Sequence, residues 1–357
     1  MSLRTVVWGT GNLGRAAVRA VQAHPGLELA AVLTSTPAKV GRDAGDISDV
    51  EPLGVVLTDD VEGVLGARPD AVVYAASGDL RPDDAAADIR RALAAGAVVV
   101  TPSLYAMYDP RSAPAELRDP LEKACAEGGS ALLVSGIDPG WANDVLPVLL
   151  SGLSGTLDQV RCQELFDYST YDQPDAVRGS VGMGGPMDQV PLMVLPGVPA
   201  MIWGGQVRLV ARALGIELDE VVERVERRPL ERDVDNAMGR FDKGSQGGLR
   251  FEVAGVAGGR DVVVVEHVTR IAPDVAPDWP SPADGGAGAH RVVLEGRPRI
   301  EVTIEAEDEG GNRAAGGNAT AVNRLVAAIP WLREAAPGVY DALQVPLSPA
   351  VGRLGRG

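Results

Sequence analysis

An α/β architecture is predicted for this chain: a doubly wound parallel sheet, then a second α+β domain with a mixed or antiparallel sheet. Three observations predict it. Up to about residue 140, short Val-rich runs alternate with Ala-rich helical stretches, the pattern of βαβ units. Each of those strands runs into a polar or glycine-containing turn. Beyond residue 141 the runs lengthen and alternate, which suits a sheet with one wet face.

The elements follow in order. A strand at 5–8 leads into a helix at 13–23, and a second strand occupies 28–33. Strands at 71–74, 97–100 and 131–135 alternate with helices at 83–95 and 115–127. The turns after these strands are 9–14, 34–36, 75–79, 101–104 and 136–140. Ligands bind at the carboxyl ends of strands in open α/β sheets, so five turns converge on one candidate site. The second half begins with a helix-like run at 144–153 and a strand at 159–166, followed by a Gly/Pro/Met-rich stretch at 179–205 and an amphipathic helix at 206–214. Residues 217–232 mix acids and bases, with Glu220, Arg224 and Arg227 on one side, and read as a solvated helix face. Strands are expected at 249–256, 261–271 and 290–305, a loop at 274–289, and a last helix at 319–329 that ends before Pro330. The implied domains are 1–140 and 141–315, with 316–345 returning to the first.

The composition narrows the function classes. At 357 residues the chain has room for about two domains. A net charge of −16 would repel a phosphate backbone or an anionic bilayer, which argues against nucleic acid and membrane partners. The longest uncharged apolar stretch, 190–203, is broken by Pro191, Pro196 and Pro199 and falls short of the roughly 20 residues that span a bilayer. It reads as a buried loop wall, a pocket lining or a subunit interface. Cys125 and Cys162 form no CxxC motif, and no His/Cys/carboxylate spacing suits a metal, so none is expected. With no apolar leader at the N-terminus, the cytoplasm is the expected compartment.

The sharpest motif is Gly9-Thr10-Gly11-Asn12-Leu13-Gly14, a G-x-G-x-x-G placed between a strand and a helix. The first glycine permits a tight turn, the second lets a pyrophosphate approach the backbone, and the third lets helix and strand pack closely. A Rossmann-type dinucleotide site is expected. The position about 20 residues on, where an acidic residue would take the ribose of NAD, is Thr34, followed by Ser35, Thr36 and then Lys39. Hydroxyls and a cation suit a 2′-phosphate, so NADP is favoured, with NAD as the alternative if Asp43 or Asp46 folds back to the ribose. Ala76 and Ser77, and Thr101, Pro102 and Ser103, are expected to border the nicotinamide end, against the plainer reading of ordinary loop chemistry.

Proton donors are sought among Tyr105 in the loop, Asp138 at the junction and His267 inside an apolar strand flanked by Glu266 and Arg270. A tyrosine in such a loop is more often a packed aromatic, and a lone strand histidine more often structural. Leu104, Tyr108, Trp141, Asn143 and Tyr168 are the candidate pocket residues. The methionines of 179–205 suit either an adaptable lining or a subunit interface.

The motif Gly9–Gly14, the segment Gly136-Ile137-Asp138-Pro139-Gly140-Trp141, Glu266-His267-Val268-Thr269-Arg270 and Gly317-Asn318-Ala319-Thr320-Ala321 together resemble the dihydrodipicolinate-reductase-like superfamily. The similarity is to its branch of 2,4-diaminopentanoate dehydrogenases and native amine dehydrogenases, and it covers nearly the whole chain. It implies a Rossmann domain, an α+β domain that pairs two subunits, and a cleft where NAD(P)H reduces a carbonyl or imine. The implied chemistry is reversible oxidative deamination of an amine, or reductive amination of a small aldehyde or ketone. In that branch a glutamate follows the turn after the strand that ends here at Val100. This chain instead reads Thr101-Pro102-Ser103-Leu104-Tyr105-Ala106-Met107-Tyr108, with no carboxylate before Asp109. Two alternatives therefore stay open: carbonyl reduction without ammonia, and a non-catalytic dinucleotide-binding redox sensor.

Overall fold

The computed structural model describes residues 2–78, 81–170, 174–236, 238–282 and 286–353. The chain divides into two compact units, residues 1–141 with 317–357, and residues 142–316.

In the first unit the elements run β1 (Leu3–Trp8), α1 (Asn12–Ala23), β2 (Leu27–Leu33), α2 (Ala44–Ser48), β3 (Leu57–Thr58), α3 (Val61–Gly66), β4 (Ala71–Tyr74), α4 (Pro82–Ala94), β5 (Val98–Thr101), α5 (Ala115–Gly128) and β6 (Ala131–Val134). Every strand pair is parallel, in the order β3-β2-β1-β4-β5-β6, with a late strand, Gly338–Tyr340, added at the β6 edge. The strand order reverses between β1 and β4, where open sheets of this kind bind their ligands. Alternate strand residues enter two separate cores, because successive side chains point to opposite faces. Val7, Val73 and Val100 pack with α1 and the late helix, while Val6, Val72 and Val99 pack with α4 and α5. Each such fully buried side chain is worth about 1.5–3 kcal/mol.

The second unit holds α6 (Val145–Ser151), β7 (Thr156–Asp167), α7 (Val198–Ala213), β8 (Glu220–Pro229), β9 (Val234–Asn236), β10 (Gly239–Phe241), β11 (Gln246–Ala257), β12 (Arg260–Arg270), β13 (Gly288–Arg297) and β14 (Ile300–Ile304). Six of these strands form a mixed sheet in the order β14-β13-β7-β12-β11-β8, parallel only between β7 and β12. Helix α7 packs on one face, with Trp203 against Phe251.

Several local expectations change. Residues 217–232 are not a helix but contain the edge strand β8. Its β-branched Val221, Val222 and Val225 fit a pleated ladder with β11, and Arg224 pairs across strands with Glu252 and Asp261 rather than along a helix. Helix α7 starts at Val198, not 206, with Pro199 in its first turn, where proline needs no N–H partner. The apolar stretch 190–203 is thus half helix, burying Ile202 and Trp203 but exposing Val190, Leu192 and Leu195. The expected strand 290–305 is the hairpin β13–β14. The last helix, α8 (Arg313–Glu334), passes through Pro330 instead of stopping before it. Ile329 and Leu332 are both buried in the first unit's core, so packing on either side of the proline offsets its lost hydrogen bond.

Candidate active site

In the first unit the five turns at the strand ends do meet. Gly9 has φ +122°, and a Cβ there would lie 2.6 Å from the Ala76 nitrogen, so the β1 loop is pressed against the turn after β4. A Cβ on Gly14 would lie 2.0 Å from the Gly9 carbonyl oxygen, which is the close helix–strand approach the third glycine permits. Gly11 is different: nothing lies within 4 Å of its added Cβ, which leaves open space over the start of α1. Helix α1 has Gly11 at its N-cap, with no side-chain cap and no acidic residue in its first turn. Its first N–H groups, with those of Asn12 and Leu13 among them, are therefore available to an anion. These features fit the pyrophosphate of a dinucleotide. When bound, the nicotinamide supplies or takes up the hydride.

Beside this loop the Thr10 and Thr34 hydroxyls lie 2.9 Å apart. The Thr34 hydroxyl also accepts the Thr36 N–H at 3.2 Å. The Lys39 ammonium donates to the Thr10 carbonyl at 2.8 Å. Among the described residues, neither Lys39 nor Arg42 has a carboxylate partner, and Ser35 and Thr36 are exposed. Asp43 does not fold back to the ribose. Its carboxylate accepts N–H groups from Gly45, Leu53 and Gly54, and the hydrogen bonds from Leu53 and Gly45 hold its pKa below the usual range. Asp46 is an exposed residue of α2.

The other turns lock onto one another. The Ser103 hydroxyl donates to the Ala76 carbonyl at 2.6 Å, and a Cβ on Gly78 would lie 2.0 Å from the Ser103 carbonyl oxygen. Ala76 is half-buried and Ser77 exposed; Asp79, the end of the expected turn 75–79, lies outside the described residues. Thr101 is buried, and its hydroxyl accepts the Ser103 N–H. The buried Tyr108 hydroxyl donates to the Pro102 carbonyl at 3.2 Å, so this tyrosine braces the loop. Leu104 and Tyr108 belong to the core on the α4–α5 side, and half-buried Tyr105 stacks on Tyr108 with centroids 6.4 Å apart. Asp138 sits half-buried in the Gly136–Gly140 turn, and the Trp141 indole donates to the Thr320 hydroxyl of α8 at 3.2 Å.

In the second unit, strand register assembles a site from distant sequence. One row across the sheet reads Ile304, His290, Glu164, His267, Phe251, Val225. Glu164 stands between the two imidazoles: Oε1 is 3.6 Å from His267 Nδ1, and Oε2 is 3.6 Å from His290 Nε2. The Tyr168 hydroxyl lies 3.5 Å from Oε1. Phe251 stacks on the His267 ring at 4.7 Å, Trp203 covers it at 4.4 Å, and Phe166 meets the His290 ring edge-on. Burial alone would raise the Glu164 pKa. The charge on His267 and the polar contacts with both imidazoles outweigh it, and the carboxyl is held well below the usual range. Asn143 is buried just ahead of Asp144, whose carboxylate caps α6 through the Val145 N–H.

The opposite face of the same sheet is charged. Its neighbouring row reads Thr303, Arg291, Gln163, Glu266, Glu252, Arg224. Glu266 therefore faces away from His267. Its carboxylate accepts from Arg161 at 2.6 Å, Gln163 at 2.8 Å and Arg250 at 2.8 Å. Arg270 is buried and donates to the carbonyls of Val275, Ala276, Trp279 and Pro280, pinning the loop after β12.

Sequence reasoning found His267 and Tyr168 but missed Glu164 and His290, because only the register brings them together. It also missed Gln206 of α7, whose buried amide has no partner for either nitrogen or oxygen among the described residues.

Comparison with known proteins agrees with this geometry. Residues 142–354 match the family described as the 2,4-diaminopentanoate dehydrogenase C-terminal domain, and residues 3–92 match the dihydrodipicolinate reductase N-terminus. An amine dehydrogenase of Streptomyces virginiae is 65% identical over 356 residues, covering 99% of both chains. The chain belongs to the amine dehydrogenase family. It is an NAD(P)-dependent oxidoreductase with a Rossmann domain. The 2,4-diaminopentanoate dehydrogenase of Acetoanaerobium sticklandii is 23% identical over 98% of this chain and 95% of its own. A solved amine dehydrogenase from Mycobacterium smegmatis shares the fold, with TM-score 0.77 at 20% identity, covering 98% of this chain and 97% of its own. Among the described residues, no helix is long and apolar enough to cross a membrane.

Proposed function

We propose that the protein is an NADP-dependent amine dehydrogenase that interconverts a small neutral or apolar aldehyde or ketone plus ammonium with the corresponding amine. The observation that carries the reaction type is the 65% identity to an amine dehydrogenase along the whole chain. The preference for NADP rests on Lys39, held at the Thr10 carbonyl without a carboxylate partner among the described residues, and on Asp43, whose oxygens are committed to backbone N–H groups. Of the three proton-donor candidates, His267 is favoured over Tyr105 and Asp138, because it is seated against a carboxylate and walled by aromatic rings.

The test is oxidation of NADPH and NADH against a panel of aldehydes and ketones, with and without ammonium. Ammonium-dependent turnover with NADPH preferred is expected. Lys39→Glu should raise the NADPH dissociation constant at least about 10-fold, or about 1.4 kcal/mol, while leaving NADH binding nearly unchanged. Preference for NADH, with no effect of Lys39→Glu, would overturn the cofactor assignment. Turnover without ammonium would point to carbonyl reduction, the second reading, which the absence of a carboxylate from residues 101–108 favours.

A homodimer is the proposed assembly. Val190, Leu192, Leu195 and Met201 are all exposed within twelve residues of the second unit, and clustered exposed apolar side chains mark interaction surfaces. Light scattering should give twice the 37.1 kDa chain mass, and Leu192→Glu with Leu195→Glu should return it to the single-chain value. A single-chain mass for the unmodified protein would refute the dimer. The proposed compartment is the cytoplasm, supported by Cys125 and Cys162, which are buried and not joined in a disulfide.

A further inference from the structure

We propose that Glu164 is the group that binds the ammonium ion for amination, in a chain whose loop after β5 carries no carboxylate before Asp109. The inference rests on the proposed amine dehydrogenase reaction.

Two observations support it. First, Glu164 contrasts with Glu266 on the same sheet, which is almost fully buried and saturated by close donors at 2.6–2.8 Å. Among the described residues, the polar neighbours of Glu164 stand at 3.5–3.6 Å, longer than the roughly 2.7–2.9 Å of a charge-assisted hydrogen bond. A carboxylate has about four acceptor sites, so room remains on it for the N–H groups of a ligand. Second, Glu164 is more accessible than the two imidazoles beside it, at 14% exposure against 6% for His267 and 7% for His290. A small cation bearing several N–H groups suits an ionised carboxylate whose neighbouring imidazole is walled by aromatic rings.

Glu164 serves the ammonium ion as its counter-anion. The reaction that consumes the ion balances without change of charge: one carbonyl compound and one ammonium ion become one iminium ion and one water. The iminium carbon is the hydride acceptor. His290 and Tyr168 act as positioning residues beside the carboxylate, and His267 keeps the proton-donor role proposed above.

The test compares wild type with Glu164→Gln and Glu164→Asp. Glu164→Gln should keep its far-UV circular dichroism and its NADPH dissociation constant, yet show an ammonium KM raised at least 10-fold and a kcat lowered at least 100-fold. Glu164→Asp, which keeps the charge one methylene short, should recover part of the kcat. Wild-type ammonium KM and kcat in Glu164→Gln would overturn the assignment. Should Glu164→Gln fail to fold, an unchanged ammonium KM in Glu164→Asp overturns it equally. A readout independent of turnover separates this inference from the reaction it rests on. Ammonium chloride should raise the melting temperature of the wild type above that in sodium chloride of equal ionic strength, and this excess should vanish in Glu164→Gln. Wild type lacking any ammonium-dependent turnover would overturn the reaction, whereas wild type lacking the ammonium-specific shift would overturn the site.

Discussion

Gly14→Val is expected to abolish dinucleotide binding while leaving the protein folded. A Cβ at this position would fall 2.0 Å from the Gly9 oxygen and 2.6 Å from its carbonyl carbon, far inside van der Waals contact with backbone. Gly9 has little room to retreat, because a Cβ on it would already lie 2.6 Å from the Ala76 nitrogen and 2.7 Å from the Ala75 carbonyl carbon. The loop must therefore open, and the first N–H groups of α1 turn away from the pyrophosphate they would hold. A loss of at least about 100-fold in NADPH affinity follows, about 2.7 kcal/mol, read by fluorescence titration with circular dichroism as the folding control. Gly11→Ala supplies the contrast. Its new methyl would meet no protein atom within 4 Å, so any loss of affinity would arise from contact with the ligand alone. Wild-type affinity in Gly14→Val would show that the loop does not hold the dinucleotide as described.

What the sequence displayed was what is encoded locally. The glycine fingerprint is a steric demand within six residues, and the Val-rich runs of the first unit are buried on both faces, so strand and helix declare themselves by short-range pattern. The second unit resists such reading for an equally physical reason. Glu164 lies between Gln163 and Leu165 in a strand of mixed polarity, and nothing nearby marks it. Its meaning comes from pairing with His267 and His290, each more than a hundred residues away. The spacing of Glu220, Arg224 and Arg227 is compatible with a helix as well as a strand, and the ladder with β11 decides between them. The start of α7 was legible in principle: Gly197 has φ +87° and Pro199 sits in the first helical turn, the usual signals of a helix entry.

The charged face of the second sheet should prove as important to stability as its aromatic face is to chemistry. Glu266 is 1% exposed and is the shared acceptor of Arg161, Gln163 and Arg250. Glu266→Gln keeps its shape and removes its charge, leaving Arg161 with Glu252, and Arg250 with Glu252 and Glu226, as their remaining acidic partners. Breaking a buried ion pair from one side costs about 3–5 kcal/mol, because the remaining charge stays desolvated. For a unit of this size each kcal/mol moves the melting temperature by about 2–4 °C, so a fall of about 6–20 °C is expected. The effect has a definite pH dependence. Burial pushes the Glu266 carboxyl up, but the hydrogen bond from Gln163 and the charges of Arg161 and Arg250 outweigh it, so its folded pKa lies below the unfolded value. Its contribution is therefore fully present above the unfolded carboxylate pKa of about 4.3 and is lost as pH falls through the lower, folded value. The gap between wild type and Glu266→Gln should be widest near neutrality and close in acid. Arg232 and Asp274 make a bidentate pair on the surface, each about half exposed, and provide the control. Arg232→Gln should leave the melting temperature nearly unchanged, because solvent screens an exposed pair. If Glu266→Gln also left it nearly unchanged, the network would be solvent-screened rather than buried, and the charged row would carry no more stability than a surface ion pair.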